Sequence, residues 1–392
     1  MSAAPGSGLT RRSLISGGGL LAGSALLAAC DTKSALATKP PATASTSTST
    51  STSTSTVTLT DQRGKTIRLS GPARRIVTIP FPAAAMLVAV DQSADHLIGM
   101  HSASWSAMRS GILGELFPTA LSIRHDVADS NFIPNVESVL SLRPDLVVQW
   151  SDRGSELTAP LESAGLTVLG LTYGTQQDVA TWITAFGGAL GKPQRAQALN
   201  AYAAQALAEM TSLGGSTTGP TPTILYVNRF IGGLKVAGAA SYNDFYIKLV
   251  GGHNPATGPH GVAGKGMVGV DPEQVLAWDP DIILLGNFDA AMPSDLYQGQ
   301  LWRGLSAVKN RRVYKVPLGG YRWDPPSHES PLMWRWLRML AFPQRAPFDL
   351  RGQVMTSYQQ FYGRGPTGAQ LDTILWTSAN DASAHYQQFH AT

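Results

Sequence analysis

The feature that most constrains this chain is an internal repeat. Residues 137–148, with the sequence ESVLSLRPDLVV, are matched by residues 273–284, EQVLAWDPDIIL, so equivalent positions lie 136 residues apart. In each copy a capping residue, Asn135 or Asp271, precedes a short helix, and a proline ends that helix before an apolar strand. A repeated helix–strand unit of this length predicts two similar lobes.

Apolar runs alternate with helical patterns along the rest of the body. After an opening hairpin at residues 57–69, buried strands are expected at residues 75–79, 146–148, 168–171, 223–227, 282–285 and 313–316. Strands separated by helices are typical of parallel sheets. We therefore predict an α/β fold of two similar lobes, each built on a central, mostly parallel sheet.

A long helix is predicted between the two copies of the repeat. Apolar residues recur at helical spacing within residues 194–213, at Leu199, Ala203, Ala206, Met210 and Leu213. Twenty residues span about 30 Å, enough to run along both lobes. We expect this helix to join them rigidly, with an N-terminal lobe at 57–190, the interlobe helix at 191–216 and a C-terminal lobe at 217–392. An ordinary surface helix in one large domain is the alternative.

The N-terminal region has the pattern of an export signal. Residues 1–29 carry Arg11 and Arg12 before a Gly/Ala/Leu run, as in a twin-arginine signal, and LAAC ends at Cys30, as in a lipobox. Residues 30–56, which close in six Ser–Thr dipeptides, are expected to form a flexible tether behind the lipidated Cys30. The protein is therefore expected on the outer face of the cytoplasmic membrane or in the periplasm. An uncleaved membrane anchor is the alternative.

Charge and cysteine content narrow the choice of partner. The chain has 30 Lys and Arg against 26 Asp and Glu, a net charge of +4, which gives no basic field of the kind that binds nucleic acid. Its single cysteine excludes an internal disulfide and a metal site of several cysteines.

A ligand is expected beyond the carboxyl ends of the strands, as in other open α/β sheets. The residues that follow the predicted strands there are unusually aromatic, with arginine and amide side chains among them: Phe81, Trp105, Trp150, Tyr173, Tyr226, Arg229, Tyr242, Asn287, Tyr321, Arg322 and Trp323. Aromatic faces and guanidinium groups suit a flat or bulky anionic chelate. Packing inside the lobes is the alternative role for each aromatic residue.

From about Val57 to Leu375 the chain resembles the class III substrate-binding lipoproteins of ABC importers, the group that delivers ferric siderophores, haem and cobalamin. The landmarks are, in order, DQRG at 61–64, PNVESVLSLRPD at 134–145, LGKP at 190–193, VDPEQVLAWDPD at 270–281 and FYG at 361–363. The resemblance implies a solute-binding protein that works with an ABC permease. We expect a monomer without a cofactor of its own, and no catalysis.

Members of that family present one glutamate from each lobe to arginines of the permease. The matching positions here are Glu137 and Glu273. Two carboxylates on separate lobes can orient a protein on its membrane partner. The alternative is that each glutamate only complements the dipole of its own helix.

The identity of the ligand stays open at this level. Residues 101–105 and 321–329 do not match a known ligand set of the family, so a siderophore, haem, a corrinoid or an oxyanion such as molybdate all fit. A bare metal ion is a further alternative, although the histidines that could serve it are scattered and lack the paired spacing of a metal site: His101, His253, His260 and His328. No nucleophile elbow, phosphate loop or dinucleotide motif is present, and a purely structural surface lipoprotein is the remaining alternative.

Overall fold

A computed structural model describes residues 56–215, 220–345 and 348–391. The export signal, Cys30 and the tether up to residue 55 lie outside the described residues. The strands are, in chain order, β1 (Val57–Thr60), β2 (Thr66–Leu69), β3 (Ile76–Thr78), β4 (Leu97–Met100), β5 (Leu146–Trp150), β6 (Val168–Leu171), β7 (Ile224–Arg229), β8 (Leu234–Ala237), β9 (Met267–Val270), β10 (Ile282–Leu285) and β11 (Val313–Lys315).

Helices surround the sheets. They are α1 (Ala83–Asp91), α2 (Ser102–Ser110), α3 (Leu113–Leu116), α4 (Val136–Ser141), α5 (Ala159–Ser163), α6 (Gln176–Ala189), α7 (Pro193–Gly215), α8 (Tyr242–Leu249), α9 (Pro272–Trp278), α10 (Pro293–Gln298), α11 (Ser306–Lys309), α12 (Ser330–Ala341), α13 (Leu350–Tyr362) and α14 (Gly368–Ile374). Short 3-10 turns lie at Pro118–Ser122, Ser155–Leu157, Pro255–Thr257 and Tyr386–Phe389. No helix within the described ranges is long and apolar enough to cross a membrane.

The first sheet has the order β4-β3-β5-β6, and all of its pairings are parallel. Its central strands are apolar and fully buried because helices cover both faces. The β1–β2 hairpin is tied to the edge of this sheet by Asp61, whose Oδ2 accepts a 3.1 Å hydrogen bond from Gly170 N of β6. We call this sheet with its helices the N lobe.

The second sheet, in the C lobe, has the order β11-β10-β7-β8-β9. Its strands β7, β10 and β11 match β3, β5 and β6 in order and direction, with Ile224 opposite Ile282 where the N lobe has Ile76 opposite Leu146. The repeat therefore builds equivalent strands in two similar lobes, as predicted from the sequence.

The lobes differ at the next strand. In the N lobe, helix α1 carries the chain over to β4, which is parallel to β3. In the C lobe, β7 turns directly into β8, which runs antiparallel and pairs with an additional antiparallel strand, β9. The loop between β7 and β8 is too short for the helical crossover that a parallel strand would need. It contains Gly232 and Gly233, which have positive φ values of 76° and 124°.

Helix α7 and the C-terminal helices hold the lobes together. On α7, Arg195 donates to Phe361 O of α13, and Asn200 Nδ2 donates to Ala180 O of α6 at 3.0 Å. The C-terminal segment also reaches the N lobe directly, because Arg364 Nη1 donates to Leu116 O at 2.9 Å. The two lobes are joined by one long helix, as the sequence predicts, and by a second set of contacts that the sequence did not reveal.

Candidate functional site

A cleft of about 480 Å³ lies between the lobes at the carboxyl ends of the central strands. Residues that follow β3, β5 and β6 form one wall, and residues that follow β7, β8, β10 and β11 form the other. It is lined by Phe81, Trp150, Arg153, Tyr173, Gly174, Tyr226, Asn228, Arg229, Ala240, Ser241, Tyr242, Asn243, Gly266, Met267, Phe288, Tyr321, Asp324, Pro325 and Pro326.

Most of the residues that the sequence singled out meet in this cleft. Seven of them line its walls, namely Phe81, Trp150, Tyr173, Tyr226, Arg229, Tyr242 and Tyr321. The reason is topological, since parallel strands of one sheet deliver the residues after their carboxyl ends to the same edge. Whether each of them contacts a ligand stays a prediction.

The N-lobe wall is an aromatic cluster. The Trp150 ring is fully buried and lies 5.5 Å from the Tyr173 ring and 5.6 Å from Trp182 on α6. Phe81 meets Phe132 edge to face at 4.6 Å. Packing of this kind fixes the rings in place and presents an apolar, polarizable surface to the cleft.

The C-lobe wall contains a buried carboxylate. Asp324 is 0% exposed, and its Oδ2 accepts hydrogen bonds from the Tyr226 hydroxyl at 2.6 Å and from Asn287 N at 3.1 Å. Asn243 Nδ2 donates to the main-chain oxygen of Asp324 at 3.0 Å. Burial, with the neighbouring Asp324 carboxylate, raises the pKa of Tyr226, so the phenol stays protonated and acts as a donor.

Two guanidinium groups face the cleft, one from each lobe. Arg153 is exposed, with its Cζ 4.0 Å from the centre of the Trp150 ring, and Arg229 is exposed at the end of β7. Neither forms an ion pair with any residue in the described ranges. Asp324 is the one carboxylate among the lining residues, and it is already occupied by Tyr226 and Asn287. The cleft therefore has a net positive wall.

Two hydrogen bonds connect the lobes across the base of the cleft. The Tyr173 hydroxyl donates to Pro326 O at 2.5 Å, and the Tyr242 hydroxyl donates to Gln176 Oε1 at 3.0 Å. Desolvation by burial raises the pKa of both phenols, so both hydroxyls stay protonated and act as donors. These bonds set the distance between the two walls.

Two predicted ligand residues lie away from the cleft because they serve the core of their own lobe. Trp105 stacks on His125 at 4.5 Å and donates to Leu121 O. Trp323 is 0% exposed, and its indole Nε1 donates to Glu329 Oε2 at 2.6 Å. Both residues follow a strand as predicted, but the Trp323 side chain is buried in the core, and the half-buried Trp105 ring lies against the exposed His125.

Asn287 and Arg322 also lie outside the cleft wall. The Asn287 amide donates to Val316 O and Pro317 O, so it braces the loop after β11. Arg322 Nε donates to Asn287 O at 3.0 Å, and its guanidinium lies 5.0 Å from the Phe288 ring. Both side chains hydrogen-bond to main-chain oxygens of loops in the C lobe and so stabilise these loops beside the cleft wall.

Several lining residues were missing from the predicted set. Asn243, Met267 and Phe288 belong to the wall, as do Arg153 and Asp324. Arg153 and Asp324 come after β5 and β11, at the strand ends where the sequence predicts the ligand, so the sequence pattern does point to them. Met267 comes from β9, a strand that the sequence did not reveal.

The two glutamates of the repeat occupy equivalent helices. Glu137 lies in the first turn of α4 and Glu273 in the first turn of α9, and both are exposed. Asn135 caps α4 by accepting from Ser138 N at 3.2 Å. Asp271 occupies the N-cap position of α9, as expected, but its side chain accepts no capping hydrogen bond. Gln274 N donates to the main-chain oxygen of Asp271 instead.

Metal ligands do not converge anywhere in the described ranges. No group of three or more His, Cys, Asp or Glu residues there could hold a metal ion. His101 is buried and caps α2 by accepting from Ala103 N, while His253 and His260 lie exposed beside α9.

A cleft between two similar α/β lobes, with a long helix behind it, defines a solute-binding protein. The sequence of residues 128–318 matches the family model described as periplasmic binding protein. A periplasmic solute-binding protein from Veillonella parvula is 34% identical, with a TM-score of 0.77 over 83% of this chain and 98% of that one. The chain belongs to this family, the class III substrate-binding proteins of ABC importers.

Two further relatives carry named ligands. The molybdate-binding protein MolA of Haemophilus influenzae is 23% identical over 78% of this chain and 90% of its own length. Its molybdate-bound structure has a TM-score of 0.68 over 79% of this chain and 99% of that one. The iron(3+)-hydroxamate-binding protein FhuD of Bacillus subtilis is 25% identical over 50% of this chain and 64% of its own length. These relatives are solute-binding transport proteins rather than enzymes.

Proposed function

We propose that this protein captures a metal chelate, of the iron–siderophore, haem or cobalamin-like kind, and delivers it unchanged to an ABC permease. The observation that carries the proposal is the pair Arg153 and Arg229, one guanidinium from each lobe beside an aromatic wall, neither of which forms an ion pair within the described ranges; Arg229 Nη1 donates to Phe288 O at 3.0 Å. Guanidinium groups recognise carboxylate and catecholate oxygens, and the rings bind the flat or bulky remainder.

The dimensions of the cleft favour a chelate over a bare ion. A volume of about 480 Å³ lies within the range of small-molecule sites. A bare metal ion needs several converging His, Cys, Asp or Glu ligands, and the described residues bring no such group together. The Bacillus subtilis relative, an iron(3+)-hydroxamate-binding protein, supports the same class of ligand.

A molybdate-like oxyanion is the second candidate. The observation in its favour is the Haemophilus influenzae relative, which matches most of this chain and binds molybdate. A small tetrahedral anion would use Arg153 and Arg229 but would fill only a small part of the cleft of about 480 Å³, which is lined largely by aromatic side chains. The aromatic wall therefore favours the chelate.

The protein is proposed to act outside the cytoplasm, attached to the membrane by a lipid. The N-terminal pattern supports export and lipid attachment at Cys30, with residues 30–56 as the tether. Exposed Glu137 and Glu273 support docking of a monomer on the permease, one lobe on each half. The protein would act without a cofactor and without catalysis.

Intrinsic fluorescence of the purified full chain tests the proposal. Trp150 lies on the cleft wall, so a bound chelate should quench tryptophan emission. Titrants are ferric hydroxamate and ferric catecholate siderophores, haemin, cyanocobalamin, molybdate and free Fe³⁺, Ni²⁺ and Zn²⁺. Saturable quenching by one chelate class is expected. A saturable response to molybdate or a free ion alone would overturn the chelate proposal in favour of its alternatives.

A further inference from the structure

A second pocket of about 450 Å³ lies beside the cleft, and the proposed function does not use it. Helices α6, α7 and α8 enclose it, so both lobes and the connecting helix contribute to its walls. Its apolar lining consists of Ala180, Ala203, Ala204, Leu207, Ala240 and Phe245. We call this space the α6–α8 pocket.

The α6–α8 pocket adjoins the cleft. The two spaces share Gly174, Ala240, Ser241 and Tyr242 as lining residues. A side chain placed on Gly174 would meet no atom within 4 Å, so there is open space beside this shared residue. The hydrogen bond from the Tyr242 hydroxyl to Gln176 Oε1 marks the boundary between the two spaces. A ligand whose head lies in the cleft therefore needs to pass only Gly174 to reach the α6–α8 pocket.

The walls exclude a second anionic group as the occupant. Helices α6 and α8 both begin at this pocket, but Thr175 and Ser241 cap them, and Asp178 and Asp244 stand in their first turns. These carboxylates already complement the positive helix ends. The guanidinium groups of the cleft, Arg153 and Arg229, are not among the residues that line the pocket. Charge thus divides the two spaces, with the positive wall in the cleft and the apolar wall in the pocket.

We propose that the α6–α8 pocket binds an aliphatic arm of the same chelate whose metal-binding head occupies the cleft. The inference rests on the proposed function and narrows its ligand to an amphiphilic, acylated chelate. Small residues on α7, Ala203 and Ala204, leave room for a chain, while Leu207 and Phe245 supply apolar contact. Gln176 Nε2 and Asn200 Oδ1 are buried there without a hydrogen-bond partner in the described ranges, and an amide in the arm offers the complementary acceptor and donor.

Matched pairs of chelates test the inference with the purified full chain. Ferric trihydroxamate and ferric tricatecholate probes are each prepared with an N-acetyl or an N-octanoyl group, and binding is followed by tryptophan fluorescence. Each methylene that becomes buried raises affinity by about fourfold. We expect the octanoyl form of the head group that binds to have an affinity higher by about tenfold or more.

Variants of α7 locate the effect. Ala204 is exposed and lines the pocket, so Ala204→Phe should fill it and bring the affinity ratio of octanoyl to acetyl forms close to one. Ala201 is exposed on the same helix outside the pocket lining, and Ala201→Phe should keep the ratio of the unmodified protein. Ala180→Leu provides a second filling variant from α6.

The failures of the two proposals are distinguishable. Equal affinity for acetyl and octanoyl forms overturns this inference while the chelate function stands. An octanoyl advantage that survives both Ala204→Phe and Ala180→Leu places the arm elsewhere and also overturns it. If no siderophore probe binds, this inference is overturned, and the titrations with haemin and cyanocobalamin decide separately whether the chelate function stands.

Discussion

The hydroxyl of Tyr226 donates a 2.6 Å hydrogen bond to Oδ2 of Asp324, and both side chains are buried beneath the cleft. The bond joins the middle of β7 to the loop after β11, so it sets the shape of the C-lobe wall.

Tyr226→Phe should lower both stability and affinity. The substitution removes a donor from a buried carboxylate, which costs about 1–3 kcal/mol of unfolding free energy. Urea denaturation measures that loss, and fluorescence titration measures the accompanying decrease in chelate affinity. Tyr297→Phe is the control, because its hydroxyl bonds to Val313 O and Ser383 Oγ outside the cleft lining, and it should leave affinity unchanged. Equal affinity of the Tyr226 variant and the wild type would contradict the assigned role.

Arg153→Gln and Arg229→Gln should each weaken binding of an anionic chelate by about tenfold, because a hydrogen bond to a charged group contributes about 1.5–3 kcal/mol. Both side chains are exposed, so the folded state should survive. Arg68→Gln, an exposed arginine on β2, is the matched control. If both cleft variants bind like the control, the positive wall has no part in recognition.

The double variant Glu137→Ala/Glu273→Ala should bind chelate normally and fail to stimulate the importer. The two carboxylates lie in the exposed first turns of α4 and α9, at equivalent positions of the two lobes. ATP hydrolysis by the reconstituted permease is the measurement. Glu115→Ala/Glu156→Ala removes two other exposed N-lobe glutamates and should stimulate like the wild type. Normal stimulation by the Glu137→Ala/Glu273→Ala variant would show that these glutamates do not dock the permease and only complement the dipoles of their own helices.

The contribution of His328 to stability should fall as the pH decreases below about 6.5, because burial disfavours protonation of its imidazole in the folded state. Burial, with nearby Arg195, lowers the pKa of His328 from 6.5 to about 3. The unfolded chain binds this proton below pH 6.5 and the folded chain does not, so the slope is at most about 1.4 kcal/mol per pH unit. Urea denaturation between pH 7 and about 4 should show a smaller slope for His328→Gln than for the wild type. The exposed His253→Gln variant should keep the wild-type slope, and identical slopes for all three proteins would refute the assignment.

Cys30→Ala should abolish membrane retention if Cys30 is the lipid-modified residue. The variant is expected either in the soluble fraction after a mild wash or as an unprocessed precursor. Membrane fractionation and the mobility of the mature protein distinguish the two. Unchanged retention together with unchanged processing counts against a lipobox.

The sequence predicted the equivalent strands of the two lobes because the repeat preserves local pattern. Residues such as Leu146 and Ile282 are apolar, follow a proline-terminated helix and enter the centre of a sheet in both lobes. It also brought Phe81, Trp150 and Tyr226 to one cleft, since strand ends of a parallel sheet share an edge. Local pattern and topology were sufficient for these features.

Side-chain direction and contacts between distant segments were beyond that reasoning. Nothing local distinguishes Trp323, which turns inward to Glu329, from its neighbour Tyr321, which lines the cleft. The antiparallel β8 depends on a short Gly-containing connection, and β9 depends on pairing with β8. The α6–α8 pocket depends on the separation of three helices, which no sequence pattern encodes directly.

The contacts of the C-terminal segment with the N lobe mean that the lobes are not separable pieces of chain. Ile112 N donates to Gly319 O at 3.2 Å, and Arg364 Nη1 donates to Leu116 O. Residues from the C-terminal part of the chain therefore form hydrogen bonds with the N lobe. Cutting the chain after α7 would strip the N lobe of these partners and expose its apolar surface. Lobe exchange between relatives would therefore have to carry α13 along with the N-terminal half, and the natural unit of recombination is the whole two-lobed body.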